Sequence, residues 1–419
     1  MKQYLYPATI YLPDFSRVDG NKWATVACDQ FTSQPEYWRA ARAYVDGTPS
    51  TMDLMLPEAY LSREAEAVPL INGKMREYLD TVLIPHKDTM IYLERTQSDG
   101  RIRRGIVGAV DLEEYDYTRG ATTLTRATEG TVLSRIPPRV AIRRGAPIEM
   151  PHIMILIDDP HRTVIEPVAA RASEYTAAYD FDLMLGGGHV KGAFVPAEAQ
   201  ESVNRALAAL ATPAAMTEKY GVEAEPLLFA IGDGNHSLAT AKALYEEIKA
   251  EIGAEAAASH PARYALCEIV NLHDEALEFE PIYRVLFGVS PEAFLGEFRA
   301  YLDALSGTAA PQSFTVTYGD KTVSLGADTP VAQLAVGTVQ AFLDGYVERN
   351  PAVEIDYIHG EDTAKALARR EDTVAILFDG MGKDMLFKTV ICDGALPRKT
   401  FSMGHAEDKR YYVECRAIR

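Results

Sequence analysis

The chain is poor in cysteine, in long apolar runs and in positive charge, and each shortage removes a class of protein. Its four cysteines (Cys28, Cys267, Cys392, Cys415) are scattered without Cys-x-x-Cys spacing, which argues against a structural zinc module and a disulfide framework alike. A reduced, cytoplasmic setting fits, with each thiol read as a small buried hydrophobe. No apolar stretch approaches the ~20 residues of a membrane span, and no basic N-terminal region precedes an uninterrupted apolar core. There is no repeat of about 20 to 50 residues and no low-complexity run, so solenoids are excluded. Lys and Arg number 42 against 60 Asp and Glu, a net charge of −18. Such a field repels nucleic acid and anionic lipid, so neither is an expected partner. What remains is an ordinary globular composition, 47% hydrophobic over 419 residues, enough for two or three cores.

The stretch from Leu227 to Glu246 carries the strongest chemical signal. Leu227 to Ile231 suits a buried strand, Gly232-Asp233-Gly234-Asn235-His236 is a tight polar turn, and an Ala-rich helical segment follows at once. A turn of this kind aims the unpaired N–H groups of the helix's first turn at one point, where the helix dipole adds partial positive charge. That is an anion site, most often for phosphate, with Gly232, Gly234, Asn235 and Ser237 around it. Asp233 offers a carboxylate for Mg²⁺ or base chemistry, and His236 an imidazole. The competing reading gives Asp233, Asn235 and Ser237 only helix-capping duties, with both glycines relieving backbone strain.

Asp233-Gly-Asn-His-Ser237 resembles the Asp-Gly-His-His-Arg box of a prokaryotic family, domain of unknown function 1015. The likeness extends to Trp23-Ala-Thr-Val-Ala-Cys-Asp29 and on to Trp38, to Asn271-Leu-His-Asp-Glu-Ala-Leu277 with Pro281-Ile-Tyr-Arg284, and to Leu396-Pro-Arg-Lys399-Thr-Phe. More distantly, the box is similar to one in ADP-dependent free-serine kinases of the ParB/sulfiredoxin superfamily. Asn235 stands where the box has its first His and Ser237 where it has Arg, so this chain has to supply a phosphate-gripping cation from elsewhere. The resemblance implies a ParB/sulfiredoxin-like fold and a kinase using Mg²⁺ with ATP or ADP.

Elsewhere, Trp23 to Cys28 reads as a short strand, and Ser33 to Glu36 as a capping box for a helix to about Val45, stopped by Gly47. Asp29 then sits in a strand-to-helix connection, where it can face the same cleft as Asp233 or be a plain loop aspartate. Thr89 to Asp111 reads as two strands turning at Ser98-Asp99-Gly100. The most basic stretch follows: Arg126, Arg135, Arg139, Arg143 and Arg144 share a 19-residue window with one acid, Glu129. Guanidinium groups grip phosphate oxygens bidentately, so Arg126, Arg135 and Arg139 are phosphate candidates; a basic surface satisfied by the protein's own acids is the alternative. Ile153 to Ile157 suits a central strand, and roughly Val164 to Tyr179 an amphipathic helix. Gly186-Gly-Gly-His189-Val-Lys191 reads as a hairpin turn or an anion nest, because no helix begins at its glycines. Asp379-Gly-Met-Gly-Lys383 lacks P-loop spacing and reads as another hairpin turn. A second basic concentration, Arg398, Lys399, His405, Lys409 and Arg410, lies near the end of the chain, and Lys399 joins the phosphate candidates.

These patterns predict a mixed α/β (α+β) protein: an α/β domain over 1–280 carrying the strand-turn-helix anion site, and a smaller α+β domain over 281–419. The first functional reading is a nucleotide-dependent phosphotransferase acting on a hydroxyl-bearing small-molecule metabolite, with Asp233, His236 and Asp29 as catalytic candidates and Asp233 holding the metal. A non-catalytic nucleotide or metabolite sensor is the second. A metal-dependent hydrolase built on His189 and His236 is the third, without supporting spacing.

Overall fold

The structure, a computed structural model, describes residues 2–131, 136–404 and 406–419. It is mixed α/β, with twelve α-helices among the described residues. The chain divides into two units: residues 1–277 with 404–419, and residues 278–403. The last stretch, expected in the second region, joins the first unit because Cys415–Ala417 pairs with both Ala8–Pro13 and Ile148–Glu149. No described helix is long and apolar enough to cross a membrane.

A nine-stranded mixed sheet organises the first unit, in the order Tyr115–Asp116, Thr125–Arg126, Phe229–Asp233, Met154–Ile157, Tyr264–Asn271, Ile102–Asp111, Ile91–Thr96, His189–Phe194, Ala177–Asp182. Both faces are covered, which is why the central strands are apolar at nearly every position rather than alternating. On one face Ile155, Ile231 and Ile269 pack with Val203, Leu207, Leu238 and Tyr245 from the helices Ala197–Leu210 and Asn235–Ile252. Each of those isoleucines is fully buried, so truncation to Ala costs about 2–5 kcal/mol. On the other face Ile91, Leu93, Val107 and Leu266 meet Trp23, Trp38, Ile10 and Cys415. That covering layer comprises the four-stranded sheet Leu83–Thr89, Ala8–Pro13, Cys415–Ala417, Ile148–Glu149 and the helices Pro35–Val45 and Glu64–Thr81.

The second unit has a sheet ordered Lys321–Ala327, Gln312–Tyr318, Thr373–Phe378, Glu280–Phe287, Glu354–His359, with Phe401–Ser402 added along Glu280–Pro281. Phe294 and Phe298 of the helix Pro291–Asp303 pack against Phe342, edge-on and tilted, at 5.6 and 5.0 Å between ring centroids. These contacts fix its helix layer.

Local expectations fared unevenly. Helix Pro35–Val45 ends as the glycine suggested, with Asp46 and Gly47 both left-handed, but Gln34 is its N-cap and makes no side-chain bond. The segment from Trp23 to Cys28 forms only one bridge, Val26 to Arg410. The helix expected over 164–179 is cut to Glu166–Ala169 and a 3-10 turn, and Ala177–Asp182 is a strand. Its place in the sheet is taken by pairing with His189–Phe194, where Gly192 admits the Tyr179 ring against the backbone. Asp379 to Lys383 is not a hairpin turn: Lys383 opens the helix Lys383–Asp393.

Candidate functional site

The strand Phe229–Asp233 and the helix Asn235–Ile252 are separated by Gly234 alone. Gly234 has φ +82, and a Cβ there would lie 2.4 Å from the His152 carbonyl oxygen. Only glycine lets the turn press onto residues 152–153. That approach brings His152 Nε2 to 3.3 Å from Asp233 Oδ2. The other ring nitrogen, Nδ1, lies 2.7 Å from the Arg410 carbonyl oxygen. A carbonyl and a carboxylate only accept, so each ring nitrogen faces an acceptor. Lys409 adds its ammonium 3.5 Å from the same Oδ2, and the Gly234 N–H donates to Oδ1 at 2.7 Å. Burial pushes the Asp233 carboxyl up, but His152, Lys409 and the Gly234 N–H outweigh it and hold it well below the usual carboxylate range. Asp233 is therefore ionised at neutral pH and a weak base, while its side chain stays 23% exposed.

Gly234 holds the N-cap position and has no side chain to cap with, while Asn235 and Ser237 lie inside the helix, so neither of those two is its N-cap. Asn235 Nδ2 donates to Thr128 Oγ1 at 3.4 Å, and Thr128 Oγ1 donates to the Ile231 carbonyl at 2.6 Å. Among the described residues the buried Asn235 Oδ1 has no hydrogen-bond partner. Gly232 lies against Leu156. His236 is half-buried and its carbonyl accepts from Thr240, and Ser237 is exposed.

Lys409 and Arg410 belong to a segment clamped between two others. Ala27 N–H donates to the Lys409 carbonyl (2.7 Å), Tyr411 N–H to Thr25 (3.0 Å) and Tyr412 N–H to Pro151 (3.1 Å). Asp29, two residues past Ala27, is exposed and accepts from its neighbour Gln30. Arg139 pairs with Glu58, whose N–H donates to the Cys28 carbonyl, so Arg139 enters the same neighbourhood through residues 26–29. Its helix Ile136–Arg144 runs alongside Asn235–Ile252: Ile136 and Val140 pack with Ala239 and Leu244, and Arg144 pairs with Glu247. The two helices thus point the same way, with their N-terminal ends together.

Other candidates go elsewhere. Arg126 is buried, and its guanidinium donates to the carbonyls of Thr123, Glu225 and Pro226 at the opposite end of the strand from Asp233. It holds a loop rather than a ligand. Lys399 lies in the second unit, where its carbonyl accepts from buried Arg284 and its side chain is exposed. Arg135 and His405 lie outside the described residues. His189 bonds Asp180 and Asp182, both at 2.8 Å, on its own hairpin. Among the described residues no three His, Cys, Asp or Glu side chains gather as a metal site.

Behind the Lys409 segment lies a charged layer that periodicity hides. Arg103 bonds Glu268 twice, at 3.1 and 2.8 Å. Arg95 beside it is pushed down to about 10 by burial and by the Arg103 charge. Tyr179 donates to Glu414 at 2.6 Å, and burial raises that carboxyl to about 7.

A family model described as a protein of unknown function (DUF1015) matches residues 14–346. The chain belongs to that family. No curated protein matches this DUF1015 chain. Among solved structures, a free serine kinase variant in complex with AMP is similar over 71% of this chain and 87% of its own, at 12% identity and TM-score 0.35. Another, in complex with ADP, covers 72% and 88% at 12% identity and TM-score 0.36. A conserved hypothetical protein from Pyrococcus furiosus covers 71% and 90% at 12% identity and TM-score 0.33.

Proposed function

We propose that the Asp233 turn binds the phosphates of a nucleoside di- or triphosphate and that the DUF1015 chain moves a phosphoryl group to the hydroxyl of a small metabolite. The observation that carries this reading is the pairing of Asp233 with Lys409 and His152 at the start of a helix whose N-cap residue, Gly234, has no side chain. Phosphoryl transfer needs mainly positioning and charge neutralisation, and a fixed ammonium, an imidazole and a helix N-terminus supply both. Lys409 takes the part of the cation that Ser237 does not provide. The motif likeness to ADP-dependent serine kinases points the same way, and to a ParB/sulfiredoxin-like fold for the first unit.

Mg²⁺ fits here only through Asp233, with phosphate oxygens and water completing its shell. When bound it neutralises phosphate charge. Asp233 itself stays ionised and orients His152 and Lys409. With its depressed pKa it is a weak acceptor for the hydroxyl proton, so Asp29 and His236 stand beside it as candidates for that role.

The test is incubation of the purified chain with γ-labelled ATP or β-labelled ADP and a pool of amino acids, polyols and hydroxy acids. A labelled metabolite that disappears in Lys409→Met supports the reading. Tight nucleotide binding with no labelled product turns the site into a sensor, and no nucleotide binding at millimolar concentration removes both.

A further inference from the structure

We infer that the first unit carries a second ligand site, a cavity that takes the tail of a fatty-acid-like carboxylate. The helices Pro35–Val45 and Glu64–Thr81 and the segment between them wall a cavity of about 660 Å³, within the roughly 300–1,000 Å³ of small-molecule sites. Trp38, Met52, Met55 and Ile71 line it and are each at most 8% exposed. Two of the four are methionines, whose unbranched chains adapt to varied apolar shapes. Leu70 also lines the cavity and is 73% exposed, so apolar surface continues out to solvent.

The charged lining residues are Arg39, Arg42, Arg63, Lys74, Asp53 and Glu66, a cationic excess in a chain of net charge −18. Arg42 pairs with Asp53 at 2.6 Å, and Lys74 with Glu77 at 2.7 Å. That leaves Arg39 and Arg63 against Glu66 alone. A neutral apolar ligand leaves those cations unused, a cationic amphiphile meets repulsion, and a bare anion leaves the apolar wall wet. An acid head on an apolar chain satisfies all three constraints. None of these residues belongs to the Asp233 turn, so this site stands or falls apart from the nucleotide reading.

The experiment is calorimetry of the full chain with octanoate, decanoate and dodecanoate below their micellar concentrations. Trp38 emission is followed in parallel, since the chain has only two tryptophans. Affinity is expected to rise about fourfold per methylene, equivalent to about 0.8 kcal/mol. Dodecyltrimethylammonium should bind at least tenfold more weakly than dodecanoate. Ala67→Trp, which narrows the cavity, should weaken dodecanoate at least tenfold while ADP binding is unchanged. Arg39→Glu with Arg63→Glu, both at exposed positions, should abolish the preference for the anion and carries the test if Ala67→Trp fails to fold. Affinity independent of chain length, equal binding of the cation, or a dodecanoate response untouched by both variants overturns the proposal.

Discussion

The ammonium of Lys409 lies 3.5 Å from the Asp233 carboxylate, so a residue of the C-terminal segment meets a turn built far earlier in the chain. Lys409→Met removes the cation and keeps most of the apolar stem. Nucleotide affinity should fall about 10- to 100-fold, the range of a charge-assisted bond to phosphate. Titration calorimetry with ADP and ATP reads it, and an unchanged dissociation constant takes Lys409 out of the site.

Asp233→Asn keeps the shape and removes the charge. Turnover should drop at least ~10²-fold, because His152 and Lys409 lose the anion that orients them. The pH dependence has a definite sign. The Asp233 carboxyl is held below its ordinary 3.8, so its stabilisation is fully present above that value and is lost as pH falls through the folded-state value. Urea unfolding of the two proteins should differ most near about pH 7 and converge towards about pH 2. A constant difference across that range contradicts the assignment.

Glu414 behaves in the opposite sense. Its carboxyl rises from 4.5 to about 7 on folding, so the folded state loses stability as pH climbs from 4.5 towards 7 and stays at the lower level above it. Oε2 is buried without a hydrogen-bond partner among the described residues. Glu414→Gln should therefore gain about 1–2 kcal/mol over wild type at about pH 8 and little at about pH 4. Denaturation midpoints at the two pH values check it.

Arg126 and Arg139 separate structure from binding. Arg126→Met strips donors from three carbonyls and should cost about 2–4 kcal/mol of stability with nucleotide affinity unchanged. Arg139→Ala frees Glu58, and affinity should weaken about tenfold if the guanidinium turns to phosphate when nucleotide is present. Equal affinity loss in both variants would place Arg126 at the ligand after all.

The strand-turn-helix around Asp233 was legible because its signals are local: an apolar run, two glycines and an Ala-rich segment within about twenty residues. The hairpin at Ser98 to Gly100 and the central strand at Met154–Ile157 were legible on the same grounds. His152 and Lys409 were not. His152 follows Pro151 at the edge of a strand, and Lys409 was visible only as one of a basic group, because nothing in a linear pattern links either to Asp233. The helix expected over 164–179 failed through tertiary override, since sheet pairing across Gly192 outweighed the propensity of an Ala-rich stretch. Arg126 looked like a ligand residue for lack of any sign that three carbonyls would need it.

The excursion of residues 278–403 between Leu277 and Gly404 sets an order of events in synthesis. Residues 1–277 emerge from the ribosome while the strand that separates Ala8–Pro13 from Ile148–Glu149 is still untranslated. The nascent first unit must wait, with the edges of those two strands unpaired and Asp233 lacking Lys409, until a whole second unit has been made. Translation pausing within 278–403 would lengthen that exposure, so this interval is where a chaperone has the most to protect.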